Sequence, residues 1–161
     1  MSYPQVTIET SHGPLTVELW DDVAPKHVAN FLDLVGSGFY DGLTFHRIIP
    51  QFVIQGGCPH GNGMGDGPRR LKAEFNDREH HPGVLSMARS AAPDSASSQF
   101  FICLSRDHCQ HLDQQYTGFG KVVEGMDVVE QIAATQVDPQ SGAPVGEPPR
   151  MTSARVVDPA E

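Results

Sequence analysis

The sequence predicts a sheet-rich single domain carrying two helices, and three observations support that fold class. The 161 residues include 16 glycines and 13 prolines, which demand more turns than a helical bundle would carry. Several short runs alternate apolar and polar residues at the period of a half-buried strand, while two stretches repeat at the period of a helix face. No solenoid repeat and no change of composition divides the chain, and a chain near this length hides roughly two-thirds of its unfolded surface. One domain over residues 1–161 is therefore expected, closed well enough to protect its strand edges.

In order along the chain, residues 6–9 and 15–20 alternate well, with the turn formers His12, Gly13 and Pro14 between them. The first two strands thus read as a hairpin, with Trp20 anchoring core. Ala24 and Pro25 then open a run in which Val28, Phe31, Leu32 and Val35 share one helical face. Proline suits its first turn, and Gly36 or Gly38 suits its exit. Residues 38–44 are a turn-rich connection into 45–57, FHRIIPQFVIQGG, and 56–68, GGCPHGNGMGDGP, reads as a long surface loop. Residues 83–89, GVLSMAR, look like a short buried strand, and 90–98 are small and polar. Residues 99–104, QFFICL, form an aromatic strand with Cys103 as a core thiol. Residues 113–120, DQQYTGFG, lead through Lys121, Val122 and Val123 to a second short helix carrying Met126, Val129, Ile132 and Ala133, with Gly125 before it. Residues 139–149 are loop, and 154–157 form a last strand.

The formal charge of −9, with Arg69, Arg70 and Lys72 as the local basic cluster, argues against a nucleic-acid partner. No apolar run approaches bilayer-spanning length, and MSYPQVTIET has neither the charged nor the apolar part of a secretory signal, so no membrane association and a cytosolic location are expected. Three cysteines, Cys58, Cys103 and Cys109, are an odd number that suits a reducing compartment.

The stretch 45–57 sets one cation, Arg47, and one amide, Gln55, among Phe45, Ile48, Ile49, Phe52, Val53 and Ile54. In an extended chain Phe45, Arg47 and Ile49 share a face, and beyond Pro50 so do Val53 and Gln55, which presents the two polar groups beside apolar walls. The spacing leaves a second reading open, an arginine tethering a loop to a carboxylate. Glycine-rich 56–68 lacks the Lys-Ser or Lys-Thr of a phosphate loop and the helix a dinucleotide loop needs, since Pro68, Arg69 and Arg70 follow. The Gly-x-Ser-x-Gly and His-Glu-x-x-His patterns of hydrolases are absent. Cys58-Pro-His60 and Cys109-Gln-His111 could in principle make a four-ligand zinc site. Structural zinc pairs are usually spaced more widely and both pairs fall in loops, so they read as solvated histidines and ordinary thiols, with no metal expected. His80 and His81 read as an exposed turn.

Taken together, FHRIIPQFVIQGG, GVLSMAR, SSQFFICL, HLDQQYTGFGKVVEGMDVV and APKHVANFLDL resemble the cyclophilins, the peptidyl-prolyl cis/trans isomerases, across residues 6–157, most closely cytosolic bacterial members. The resemblance implies a mainly β fold, a closed eight-stranded antiparallel barrel capped by two α-helices, with the site in a groove on the barrel's outside. It implies that Arg47 is the catalytic arginine, with Gln55 holding it or the substrate carbonyl. The proline pocket falls on Phe52, Val53, Gln55, Phe101 and Leu112, while Gln99 and the backbone of Met87, Ala88 and Arg89 line the adjoining groove.

Three positions depart from the best-known eukaryotic pattern: His111 replaces a tryptophan, Tyr116 a histidine and Arg89 an asparagine. Tyr116 keeps a ring with a polar edge, whereas His111 lacks the indole's flat surface and N–H donor. The resemblance therefore implies retained activity on proline-containing peptides and on unfolded or folding proteins, with weakened affinity for cyclosporin-type ligands. A monomer without a cofactor is expected, since rotation about an X-Pro bond breaks no covalent bond and needs no triad. The alternative is a proline-binding chaperone or scaffold module with little turnover. Arg47 discriminates the two, because binding alone needs it less than catalysis does.

Overall fold

The structure, a computed structural model, describes residues 3–61, 63–90, 92 and 94–157. Met1 and Ser2 of the N-terminal stretch, residue 62 of the glycine-rich loop, residues 91 and 93 of the small polar stretch and the last four residues of the 1–161 span lie outside the described residues. Eight strands form one sheet: β1 (Gln5–Thr10), β2 (Gly13–Leu19), β3 (Arg47–Ile49), β4 (Val53–Gly56), β5 (Val84–Met87), β6 (Phe100–Cys103), β7 (Gly118–Glu124) and β8 (Met151–Val157). Their spatial order is β3-β4-β6-β5-β7-β2-β1-β8, and every pairing is antiparallel.

The hairpin forms as expected, although its turn sits at Ser11 and His12: Thr10 pairs with Gly13, which with Pro14 already belongs to β2. Thr10 Oγ1 accepts from the His12 N–H at 3.1 Å and donates to the Gly13 carbonyl at 2.6 Å, so the side chain closes the turn one residue early. Alternation then sends Val6 and Ile8 of β1 and Leu15, Val17 and Leu19 of β2 into the core.

Helix α1 (Pro25–Gly36) begins with proline in its first turn and turns its Val28, Phe31, Leu34 and Val35 face inward against β8. Its cap residue, Ala24, has no side-chain acceptor. The Glu74 carboxylate takes that role from a distant loop, accepting from the backbone N–H of Lys26 at 3.2 Å and of His27 at 2.8 Å. Phe31 meets Tyr40, Phe100 and Phe119 at ring-centroid distances of 5.1, 5.5 and 5.3 Å, and this aromatic group fills the core. Burying each such ring stabilises the fold by about 2–3 kcal/mol. Helix α3 (Met126–Ala133) covers β2 and β4 with Val128, Val129 and Ile132. Gly125 opens it at φ 96°, where a Cβ would stand 2.8 Å from the Leu15 Cα, so no other residue fits this entry.

Two expectations need correction. The described residues hold three α-helices rather than two, because Arg106–Cys109 forms a single turn, α2, followed by a 3-10 turn at Gln110–Leu112. Four residues are too few to show a period; the one available signal was Ser105, whose hydroxyl accepts the His108 N–H at the helix start. The barrel is also not fully closed, since β3 and β8 share no ladder. The seam is spanned by the chain just before β3: Gly42 N–H donates to the Met151 carbonyl and Met151 N–H to the Leu43 carbonyl, both at 2.7 Å, and Phe45 N–H to the Pro149 carbonyl at 2.8 Å. Past that point β3 leaves β8, because the Ile48 N–H is taken by the Gly142 carbonyl at 2.7 Å. No helix among the described residues is long and apolar enough to cross a membrane.

Candidate active site

Pairing register decides which side chains reach the outside of the sheet. Ile48, Ile54, Ile102 and Leu85 stand side by side across β3, β4, β6 and β5, and all are fully buried in the core. The neighbouring row, Arg47, Gln55, Phe101 and Ser86, must point the other way. One cation, one amide and one aromatic ring are thereby aligned on the barrel's outer face. Arg47 and Ile49 do share a face, but Phe45 does not join them: it is buried in the core, because extended structure starts only at Arg47. Met87 pairs with Phe100 in an inward-facing row and its side chain is core, so it does not line the groove as a side chain.

Beneath the outer row lies a second apolar cluster of Trp20, Val53, Val84, Phe101, Cys103, Cys109 and Leu112. Its upper surface is the floor of a groove of about 360 Å³, which brings together Arg47, Phe52, Val53, Gln55, Ala88, Arg89, Phe101, His111, Leu112 and Tyr116. His111 stacks on Phe52 at 5.8 Å, while Tyr116 meets Phe101 edge-on at 5.8 Å. The Arg89 guanidinium lies 4.5 Å from the Tyr116 ring centre and donates to the Gln115 carbonyl at 2.7 Å and the Ser90 carbonyl at 3.0 Å. Gln99 does not enter this groove; it lines an adjoining hollow of about 210 Å³ together with Gln55, Ala88 and Arg89.

Arg47 is exposed and donates to Gln55 Oε1 at 3.1 Å. No carboxylate pairs with it among the described residues, so the tether reading of this arginine finds no partner. An exposed, singly held guanidinium beside apolar walls keeps donors available for a polar atom entering the groove.

A buried polar group behind the floor had no sequence signal. His80, expected in an exposed turn, is buried, and only His81 is exposed. The His80 ring runs nearly parallel to Phe101, with Nε2 at 2.8 Å from Ser86 Oγ and Nδ1 at 3.1 Å from Asp113 Oδ1. Arg106 adds two bonds to Asp113, at 3.0 and 2.7 Å. That guanidinium holds the Asp113 carboxyl well below the usual carboxylate range, while burial pushes His80 below its ordinary value. Asp113 directly follows the turn that carries His111 and Leu112, so the network ties one wall of the groove to its floor.

The two Cys-x-His pairs are not gathered into a cluster. Cys58 is buried and its Sγ accepts the Gly65 N–H at 3.2 Å, Cys109 Sγ donates to the Phe52 carbonyl at 3.3 Å, and His111 is stacked in the groove. No group of three or more potential metal ligands occurs among the described residues. The proximity of Cys103 and Cys109 raises the first thiol and lowers the second, and no disulfide forms among the cysteines.

Comparison with known proteins bears on the same residues. The family model for cyclophilin type peptidyl-prolyl cis-trans isomerases matches residues 5–156. A peptidyl-prolyl cis-trans isomerase of Synechococcus elongatus is 48% identical over 117 residues, covering 73% of this chain and 79% of the relative. Peptidyl-prolyl cis-trans isomerase B of Bacillus subtilis is 48% identical over 118 residues, covering 72% and 80%. The crystal structure of a cyclophilin type peptidyl-prolyl cis-trans isomerase of Cryptosporidium parvum superposes with a TM-score of 0.90 at 31% identity, over 97% of this chain and 98% of that one. A second structure of that protein, in the presence of the dipeptide Ala-Pro, superposes with a TM-score of 0.89 at 32% identity, over 96% and 99%.

Proposed function

The chain belongs to the cyclophilin-type peptidyl-prolyl cis-trans isomerases, and on that premise we propose that Arg47, steadied by Gln55, catalyses X-Pro rotation in the groove of Phe52, Val53, Phe101, Leu112 and Tyr116. Rotation is slow because the prolyl nitrogen's lone pair is delocalised into the carbonyl, a barrier of about 18–20 kcal/mol. Uncatalysed exchange accordingly takes tens to hundreds of seconds. Twisting the bond localises the lone pair, and the nitrogen then accepts a hydrogen bond it could not accept when planar. A guanidinium N–H aimed at that nitrogen binds the twisted state more strongly than either planar one, which is the condition for acceleration. Bringing a step of ~100 s to about one second requires ~3 kcal/mol, within reach of one charged donor beside apolar walls.

The apolar residues have the complementary task of holding the pyrrolidine ring while the preceding carbonyl turns. Phe101, Val53 and Leu112 make the floor, and Phe52 and Tyr116 stand beside it. Gln99, in the adjoining hollow with Ala88 and Arg89, borders the path of the residues before proline. Substrates are proline-containing peptides, the class to which the Ala-Pro of the Cryptosporidium structure belongs. We extend this to unfolded and folding proteins as clients, acted on by a monomer in a reducing, cytosolic compartment.

The observation that carries the assignment is the exposed Arg47 guanidinium, partnered by Gln55 and by no carboxylate among the described residues. The test is the cis/trans exchange rate of a short X-Pro peptide, measured by NMR with wild type and Arg47→Ala at equal concentration. A fast wild type and a variant slowed at least tenfold, with peptide binding retained, are expected. Equal rates would remove Arg47 from the mechanism.

A further inference from the structure

We propose that Gln99 is a positioning residue through which the glycine-rich loop aims Arg47, an inference that rests on Arg47 being the catalytic donor. The side chains form one continuous relay. Gln99 Nε2 lies 2.9 Å from both the Gly63 and the Gly65 carbonyl, Gln55 Nε2 donates to Gln99 Oε1 at 3.1 Å, and Arg47 Nη1 donates to Gln55 Oε1 at 3.1 Å.

Both ends of this relay run in one direction. A backbone carbonyl can only accept, so the Gln99 amide must turn its nitrogen to the loop and its oxygen to Gln55. Gln55 must then turn its own nitrogen to Gln99 and its oxygen to the guanidinium, which can only donate. Neither amide can flip without setting donor against donor or acceptor against acceptor. Two carbonyls of the loop therefore dictate that Arg47 meets an acceptor on the Gln55 side and keeps its remaining N–H groups for the groove.

The same accounting separates Gln99 from the substrate. Both N–H groups of its amide are taken by the loop and its oxygen by Gln55, so it has no donor left for a peptide. The loop end of the relay is itself anchored, since the Gly65 N–H rests on the buried Cys58 sulfur. A Cβ at Gly65 would stand 2.6 Å from the His60 ring, so the carbonyl that Gln99 reads is held in a tight fold of the loop.

The test is Gln99→Glu, which keeps the shape and the acceptor but replaces the donor by a carboxylate facing two carbonyl oxygens. At neutral pH kcat for the X-Pro peptide, measured by exchange NMR, is expected to fall about tenfold while KM changes less than about twofold. As pH is lowered through about 4–5 the carboxyl regains an O–H donor, and the ratio of variant to wild-type kcat recovers. His46, buried beside Gln99 and Arg47, and Asp66, Arg70 and Arg89 of the adjoining hollow face the same amide; a carboxylate at 99 also shifts His46, and the uncharged Gln99→Met variant gives the baseline for these groups. Gln99→Met, uncharged and without a donor, is expected to show the same loss with no acid recovery. Placed on Arg47→Ala, Gln99→Glu is expected to cost nothing further, because the relay acts through the arginine.

A ratio that stays flat with pH, a loss confined to KM, or an equal further loss in the Arg47→Ala background would overturn the relay. Failure of the underlying reading looks different: Arg47→Ala itself would then turn over as fast as wild type. The cycle at neutral pH decides the matter even if the acid arm is limited by stability.

Discussion

Replacing Asp113 by alanine removes the acceptor that joins a wall of the groove to its floor, and the structure sets the size of the loss. Asp113 accepts from Arg106 at 3.0 and 2.7 Å and from the His80 backbone N–H at 2.8 Å, and its Oδ1 lies 3.1 Å from His80 Nδ1. The Arg106 pair is partly screened, with side chains 28% and 23% exposed, and contributes about 1 kcal/mol. The stranded polar groups of buried His80 cost about 2 kcal/mol more. The sum, about 3 kcal/mol, lowers Tm by roughly 6–12 °C in a domain of this size. Urea unfolding at pH 7 reads this directly, and peptide titration reads the accompanying rise in KM as the turn carrying His111 and Leu112 loosens. The sign with pH is also set. Because the folded carboxyl sits below its ordinary value, its contribution is complete above about pH 4 and is lost as pH falls below that, so the gap between wild type and variant narrows in acid. A variant within about 0.5 kcal/mol of wild type at pH 7, or a gap equal at pH 7 and about pH 3, would refute the reasoning.

The three buried histidines give a second pH effect. Burial lowers His27, His46 and His80, with the Arg47 charge adding to the effect at His46. The unfolded chain therefore takes up protons first, and stability, complete above about pH 6.5, declines as pH drops below it. A urea midpoint that did not move between about pH 7.5 and 5.5 would contradict this. Glu74→Ala strips α1 of the carboxylate at its N-terminus and His27 of its 2.6 Å partner; a loss of about 1–3 kcal/mol is expected, most of it spared by Glu74→Gln, and equal effects of the two variants would remove the charge from the account. His111→Trp restores an indole over Phe52 and is expected to tighten cyclosporin-type ligands about tenfold while X-Pro turnover stays within about threefold; calorimetry showing unchanged affinity would mean that the indole is not what this groove lacks.

Much of the fold could be read before the structure because its signals are local. Pro25 starts α1, Gly125 starts α3, and the alternation of Val6, Ile8, Leu15 and Val17 marks both strands of the first hairpin. The groove residues could be located for a different reason, since their family pattern is compound and spread over the whole chain. What stayed hidden depends on partners distant in sequence. The burial of His80 follows from Asp113 and Ser86, neither predictable as its neighbour. Phe45 departs from the alternation because extended structure begins only at Arg47. The seam has no sequence signature because hydrogen bonds from residues 42–45 to 149–151 carry no periodicity.

That seam has a consequence for the order in which the molecule matures. Arg47 sits on the edge strand of the sheet; Gly142, which caps this edge at Ile48, and the start of β8, which holds the chain just before it, lie about a hundred residues further along the chain. Closing so distant a contact is slow relative to local hairpins. On a ribosome, β1 through β7 would emerge with the arginine strand still uncovered, a bare edge available to other chains. A chain of this isomerase family would thus itself be finished from its far end, with the Arg47 strand among the last parts to be secured.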